Sequence, residues 1–441
     1  DYKGYRIVAM PLLPVSRETL RFGSDDGGRT MRADDAVREK VASVASKLYL
    51  KEHHVSKDGV LTAFPLDTEI HAIRLGGKEQ YVMLDLSRLF PPTTPSKPPR
   101  GCHLFRLLRP EFLRKYKKPL SSDGFSAFAS KGTDELEAEA QRNKDEIREA
   151  TAYLLGVQIP RFARDLASIP PAVRDSLDIS FLVHESGINV RYLGRVYAAL
   201  EGLAADPSCA GAKCGVKYWL MKVLTEMITR VLKVQIKEML REMVQDLPPF
   251  ADRPFRVAVV SKLNQVLVCA SPESQRLWKR IVCGIERKFP PVAFRKTHDY
   301  GARLFARFVA LSQKYIGTDG RCLLFKKLSW AVGMRWDAKV FSEACNNPEF
   351  YATYEPFAES DFIEILPRVK RLGVASYAEG VFSRANAQIQ QAQDDRDRML
   401  RNAVSSFRTS IFLMPDSVPS LRNVADCYAM LGKPELAEYF Y

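Results

Sequence analysis

AVSSFRTSIFLMPDSVPSLRNVADCYAMLGKPELAEYFY, residues 403–441, decides how the carboxy-terminal part of this chain is built. Ala403 and Ser410 are small, Phe407 between them is aromatic, and Pro415 stops the helix they share. Leu421, Val424, Ala425 and Tyr428 then mark a second helix, Gly432 a turn, and Ala437 and Tyr441 the opening of a third. Small residues at fixed offsets let two helices approach closely, and aromatics fill the hole between successive pairs. The positions recur with a period of about 34 residues, the signature of a helix-pair solenoid.

This spacing resembles the tetratricopeptide repeat. One unit cannot bury its own apolar face, and about three are needed for stability. The stretch therefore reads as the start of a repeat array interrupted mid-unit. With Asp1 in place of an initiator Met, the chain reads as an internal fragment of a larger protein.

At 441 residues there is room for two to four domains, and 46% apolar with 27% charged residues is ordinary for a soluble globular chain. No apolar run reaches the ~18–20 residues that span a bilayer, so no membrane insertion is expected, and no signal peptide is visible. The eight cysteines are scattered without CxxC or zinc-finger spacing, which reads as free thiols of a reducing compartment, the cytosol. A net charge of +14 favours polyanionic partners: RNA, an anionic membrane surface or an acidic protein tail.

Along the chain, residues 4–24 alternate as two strands, 33–51 carry helical periodicity, and 61–64 and 81–86 read as buried strands. The intervening LDTEIHAIRLGGKEQ reads as a hairpin or loop turning at Gly76-Gly77. Five prolines in residues 91–101 make an extended strap or linker. The polar run 132–149 is either a solvated helix or a disordered insert. From 216 onward nearly everything is helical. The clearest piece, 216–244, sets an apolar stripe (Val223, Leu224, Met227, Ile228, Val231) against a charged face (Lys222, Glu226, Arg230, Lys233, Lys237). Residues 384–398 are polar and read as a connector.

Three constellations carry candidate chemistry. Asp67, Glu69, His71 and Asp85 could hold a metal or a nucleotide phosphate, or form a structural polar cluster. The gap from Asp67 to Asp85, with Asp85-Leu-Ser at the later position, is similar to the paired aspartates of protein kinases. No His-Arg precedes Asp67, however, and the kinase Asn would fall on Ala72. In the HESGINVRYLG segment, Gly187 ends one element and Asn189 caps a helix carrying Arg191 and Tyr192. That helix could grip phosphate and stack a base, or its polar residues could lock a corner of the fold. Finally, basic clusters with interleaved aromatics occur at Arg114, Lys115, Lys117 and Lys118 and at Arg276, Lys279, Arg280, Arg287 and Lys288. Cations beside aromatics are how RNA is held without reading base edges. No Walker loop, dinucleotide fingerprint, serine-hydrolase elbow or HExxH motif is present, so no catalytic residue, resident metal or cofactor is expected.

TLRFGSDDGG, LKEHHV, DTEIH, YVMLDLSRLFPP, LLRPEFL, PLSSDGFSAF, HESGINVRYLG and TEMITRVLKVQIKEMLRE together resemble the clustered-mitochondria (CLU) family. Their order is that of the family's CLU domain, its helical region named for translation initiation factor 3, and its tetratricopeptide repeats. The resemblance implies a cytosolic, non-enzymatic protein, placed near the mitochondrial outer surface. It would bind mRNAs of mitochondrial proteins, associate with ribosomes or translation factors, engage a partner protein through its repeats and keep mitochondria dispersed. The expected fold class is an α+β CLU-type domain over 1–200, an all-helical domain over 201–385 and the start of a tetratricopeptide array over 395–441. The competing readings are a kinase-like nucleotide-binding core at Asp67 and Asp85 and a scaffold that binds only protein.

Overall fold

The computed structural model describes residues 5, 12–55, 59–95, 101–126, 133–174, 177–207, 213–246, 252–269, 271–294, 300–352, 356–365, 371–390, 392–413 and 417–440. Two compact units result, one of residues 9–162 with 183–190, the other made chiefly of 191–441.

In the first unit, β1 (Leu20–Gly23), β2 (Arg32–Ala33), β5 (Glu69–Leu75) and β6 (Lys78–Leu84) form an antiparallel sheet in the order β2-β1-β5-β6. α1 (Asp35–Lys47) is capped by the Asp34 carboxylate and buries Val37, Val41 and Ala45. β3 (His53–Val55) and β4 (Val60–Thr62) make a separate hairpin. Phe22, Phe64, Leu66, Ile70 and Ile73 are the centre of the core, with Phe22 and Phe64 edge to face at 6.4 Å. The expected hairpin is there: β5 and β6 pair from Glu69↔Leu84 to Leu75↔Lys78. Gly76 and Gly77 turn it with φ of +58° and +80°, a pair of left-handed residues that only glycine adopts without strain. The reading of 81–86 as a buried strand is corrected. β6 is the edge of the sheet, paired with β5 alone, and Tyr81 and Met83 are exposed. The first of the two strands expected in residues 4–24 falls mostly outside the described residues.

α2 (Pro110–Tyr116) and α3 (Asp134–Tyr153) complete this unit's helices, with a π-helical turn, Leu154–Gln158, leading into α4 (Ile159–Ser168). The polar run 132–149 is thus a helix. Thr133 caps α3, acidic residues fill its first turn, and Ile147 and Ala150 are buried. Its outward acids find partners: Glu146 pairs with Lys51 at 2.7 Å and Glu139 with His54 at 2.7 Å. The proline-rich strap lies against 106–108, where Thr93 N–H donates to the Arg106 carbonyl and Leu108 N–H to that of Pro91; residues 96–100 are outside the described set. Two distant motifs, LKEHHV and PLSSDGF, meet in the interior. The Asp123 carboxylate accepts from Leu66 N–H at 3.0 Å and lies 3.3 Å from His53 Nε2. Burial opposes ionisation of Asp123, yet the His53 contact and the Leu66 N–H hold its carboxyl below the ordinary value.

α5 (Pro171–Arg174) and α6 (Ile179–Glu185) precede a wholly different architecture. α7 (Leu193–Ala205), α8 (Lys213–Asp246), α9 (Asp252–Val268), α10 (Pro272–Lys288), α11 (Tyr300–Ile316) and α12 (Gly320–Val332) pack as a helical domain. β7 (Met334–Trp336), α13 (Ala338–Asn346) and β8 (Phe362–Ile365) follow, and β7 pairs antiparallel with β8. This strand pair departs from the reading of nearly everything from 216 onward as helix. α8 is the axis of this domain, and Trp219, Val223, Met227, Ile228, Leu232 and Ile236 are fully buried.

Glu226 does not join a solvated charged face as its spacing suggests; it is 4% exposed. Lys327 on α12 reaches both Glu226 (2.7 Å) and Asp178 (2.8 Å), and Arg230 holds the other Glu226 oxygen at 2.5 Å. Burial opposes the Glu226 charge, but Lys327 and Arg230 more than offset it and depress the carboxyl.

α14 (Arg371–Ile389), α15 (Gln393–Leu413), α16 (Val418–Met430) and α17 (Pro434–Ala437) complete the chain. The polar stretch 384–398 is not a connector: it ends α14 with Ala387 buried and begins α15. The spacing read from 403–441 lands in the core of this helix stack. Ala403, Phe407, Ser410, Val424 and Ala425 are buried, and Gly432 turns the chain at φ +68°. Pro415 and Tyr441 lie outside the described residues. An α+β amino-terminal part therefore leads into a mostly helical part, interrupted by the β7–β8 pair, that ends in solenoid-like helix pairs.

Lys327→Met leaves Glu226 and Asp178 without their shared cation, and a loss of about 3 kcal/mol in unfolding free energy by urea titration is expected. In the native protein, the depressed Glu226 makes its contribution in full above the unfolded value of 4.5 and loses it as pH falls through the lower folded value. The urea midpoint of the native chain should thus drop more between pH 5 and pH 3 than that of a Glu226→Gln variant.

Candidate polyanion-binding groove

α10 is positioned by Ser271, whose hydroxyl caps its first turn, and by Leu277, Trp278, Ile281, Val282 and Ile285, all fully buried. Its close approach to α8 requires Gly284, because a Cβ there would lie 2.7 Å from Val231. Burying that face turns the remaining positions of α10 outward into a groove of about 1120 Å³ shared with α8, α9 and Tyr300 of α11. Lys279, Arg280, Arg287 and Lys288 of α10 and Lys262 of α9 line it, together with Glu238 and Glu242 of α8 and Glu286 of α10 itself.

Five cations against three carboxylates leave the groove positive. Lys262, Lys279, Arg280 and Arg287 make no hydrogen bond or ion pair among the described residues. Burial and the Arg280 guanidinium push the Lys262 ammonium below its ordinary value. Burial and Arg230 do the same to Lys288, whose Nζ donates to the Arg230 carbonyl at 3.4 Å. Crowded, half-buried cations destabilise one another, and an anion laid along the groove would relieve them.

Four of the eleven residues nominated for RNA contact thus come together here. Arg276 sits one turn away, paired with Glu273 at 2.6 Å. Arg191 belongs to a single helical turn, Val190–Tyr192, and its guanidinium lies 5.5 Å from the Tyr192 ring; Tyr192 itself caps α7. Arg114, Lys115, Lys117 and Lys118 belong to the first unit. There Lys115 donates to the Glu185 carbonyl and Lys118 pairs with Glu149, both near 2.8 Å or shorter. The glycines of the HESGINVRYLG motif are packing devices. Gly187 ends α6 at φ +75° against the Phe112 backbone, and a Cβ on Gly194 would collide with the Phe289 carbonyl at 1.9 Å. Reading by charge clusters missed Lys262, a lone cation in the apolar run AVVSKLNQV.

The acidic constellation is spent on local pairing. Arg88 Nε donates to Asp67 at 2.6 Å, Glu69 lies 3.1 Å from His71 Nε2, and Thr19 Oγ1 is 3.0 Å from His71 Nδ1. Asp85 stands apart in a left-handed conformation, φ +54°, before the short turn Leu86–Arg88. Among the described residues, no group of three His, Cys, Asp or Glu side chains is placed to share a metal ion. None of the seven described cysteines is in a disulfide, and none of the described helices is long and apolar enough to cross a membrane.

An α+β domain is thus followed by a mostly helical region that carries a cationic groove on its longest helix. Residues 1–95 match the family described as "Clustered mitochondria", and residues 172–289 match "Translation initiation factor eIF3 subunit 135". These two segments carry the similarity of the chain to clustered-mitochondria proteins. It is 24% identical over 281 residues to the Clustered mitochondria protein of Arabidopsis thaliana, covering 46% of this chain and 20% of that one. The corresponding homolog of Caenorhabditis elegans is 37% identical over 101 residues, 21% of this chain and 8% of its own length. That of Neurospora crassa is 30% identical over 125 residues, 27% and 9% respectively. The chain thus matches no more than a fifth of the length of these relatives. No solved structure gives a significant match. Apart from Tyr300, every groove residue falls within the 172–289 segment.

With Asp67 and Glu69 already paired, magnesium-ATP is expected to leave the melting temperature of the chain unchanged. A ligand that binds the native state must raise it by mass action. A rise that Asp85→Ala abolishes would put nucleotide at this cluster instead.

Proposed function

We propose that this chain is part of a cytosolic, non-catalytic RNA-binding scaffold that works at the mitochondrial outer surface. In this reading it binds mRNAs of mitochondrial proteins, meets ribosomes or translation factors, and serves the distribution of mitochondria. The observation that carries the RNA reading is the set of unpaired cations in the α8–α10 groove. Lys262, Lys279, Arg280, Arg287 and Lys288 would neutralise successive phosphates, and Glu238 and Glu242 on the facing wall would keep the backbone to the α10 side. Such contacts position a strand without reading its sequence, so affinity would come from counterion release and fall steeply with salt. The helix pairs α14–α17 resemble tetratricopeptide repeats and would hold a partner peptide. The names of the relatives support the mitochondrial assignment.

Binding of the full 441-residue chain to a labelled single-stranded RNA of ~30 nucleotides, titrated across a salt series, tests this. At ~0.7 released ions per phosphate, reversing Lys279, Arg280, Arg287 and Lys288 to Glu should lower the log–log salt slope by about 3. Arg276→Glu, at a cation already paired, should leave it nearly unchanged. Unaltered binding by the four-fold variant would remove the groove from the RNA path. Absence of binding at physiological salt would favour a scaffold that meets acidic protein segments.

A further inference from the structure

A second cavity, of about 420 Å³, opens in the helical domain between α7, α8 and α11. It shares no residue with the groove and differs from it in chemistry. Its floor is apolar: Met221, Leu224, Leu304 and Phe308 line it and are all but fully buried. Tyr197 and Phe294 form one wall, edge to face at 5.9 Å. The polar groups gather at the rim. Lys217 Nζ donates to the Tyr315 hydroxyl at 3.0 Å, and the ammonium lies 5.1 Å from that ring's centroid. Arg307 is exposed and makes no hydrogen bond or ion pair among the described residues. The one rim carboxylate, Glu201, is engaged by the Tyr197 phenol, whose proton is held firmly because burial and Glu201 both raise its pKa.

The volume lies in the range of about 300–1,000 Å³ that small-molecule sites occupy, and an apolar body with a few convergent polar groups is their usual build. Two cations and one carboxylate leave a single net positive charge at the mouth, which suits one negative charge and disfavours a dianion such as a phosphate monoester. Arg307 offers a planar fork matched to a carboxylate, and Lys217 a point charge lining the same cavity. We infer that this cavity binds an amphipathic monoanion, a medium-chain carboxylate, with its alkyl tail on Leu224, Leu304 and Phe308 and its head between Lys217 and Arg307.

Calorimetric titration of the full chain with sodium dodecanoate, below its micelle concentration, tests the inference. Saturable binding with one site is expected. Hexanoate, with the same head and half the tail, should bind at least tenfold more weakly, and dodecyltrimethylammonium, with the same tail and the opposite charge, should not bind. The double variant Lys217→Met with Arg307→Met should lose at least tenfold in affinity. Ala204→Trp, at a half-buried position on the cavity wall, should abolish binding by filling the space, with the helical circular-dichroism spectrum unchanged. No saturable heat with dodecanoate overturns the assignment. So does equal binding of the cationic amphiphile, or affinity that both variants retain.

Discussion

The helical domain depends on one constraint: a carboxylate, Glu226, buried in the middle of its central helix. Removing such a charge from water is tolerable only because Lys327 and Arg230 meet its two oxygens and Asp178 completes the set. The network ties α8 to α12 and to the segment before α6 with directional contacts, which apolar packing around Trp219 and Met227 could not supply. The hydroxyls of Thr225 and Thr229 in the same helix donate to carbonyls one turn back, at 2.8 Å each, so the buried stretch carries its other polar groups without further partners.

What could be read from the sequence was whatever is written in local periodicity. The spacing of Ala403, Phe407, Val424 and Ala425 marked buried positions, because small and aromatic residues at helical offsets have one economical packing. The Gly76-Gly77 hairpin was legible for the same reason, since two adjacent left-handed residues have few other uses. Misreadings arose where the outcome depends on a distant segment. Tyr81 and Met83 look like core, and only the strand order β2-β1-β5-β6 shows that their strand is an edge. Glu226 looks solvated until Lys327, 101 positions further along the sequence, arrives beside it.

Charge was legible in amount but not in use. Runs of Lys and Arg in α2 and at Arg276 look like the run in α10. Yet Lys115 and Lys118 have partners in the first unit and Arg276 has one a turn away, whereas Lys279, Arg280 and Arg287 stay unspent among the described residues. The difference lies in Gly284 and the buried face around Trp278, which settle which side of α10 looks outward. Lys262 was invisible because a single cation in an apolar helix has no cluster to announce it; its importance comes from standing beside Arg280 in space.

Arg230 belongs to two environments at once. Its guanidinium neutralises Glu226 in the interior, and its charge and carbonyl both bear on Lys288 at the groove. The interior and the groove are therefore linked electrostatically through one residue. A proton taken up by Glu226 would release more of the Arg230 field toward the groove and strengthen its hold on an anion. By thermodynamic reciprocity, an anion beside Lys288 makes Glu226 easier to protonate. A proton on Glu226 and an anion in the groove would thus favour each other.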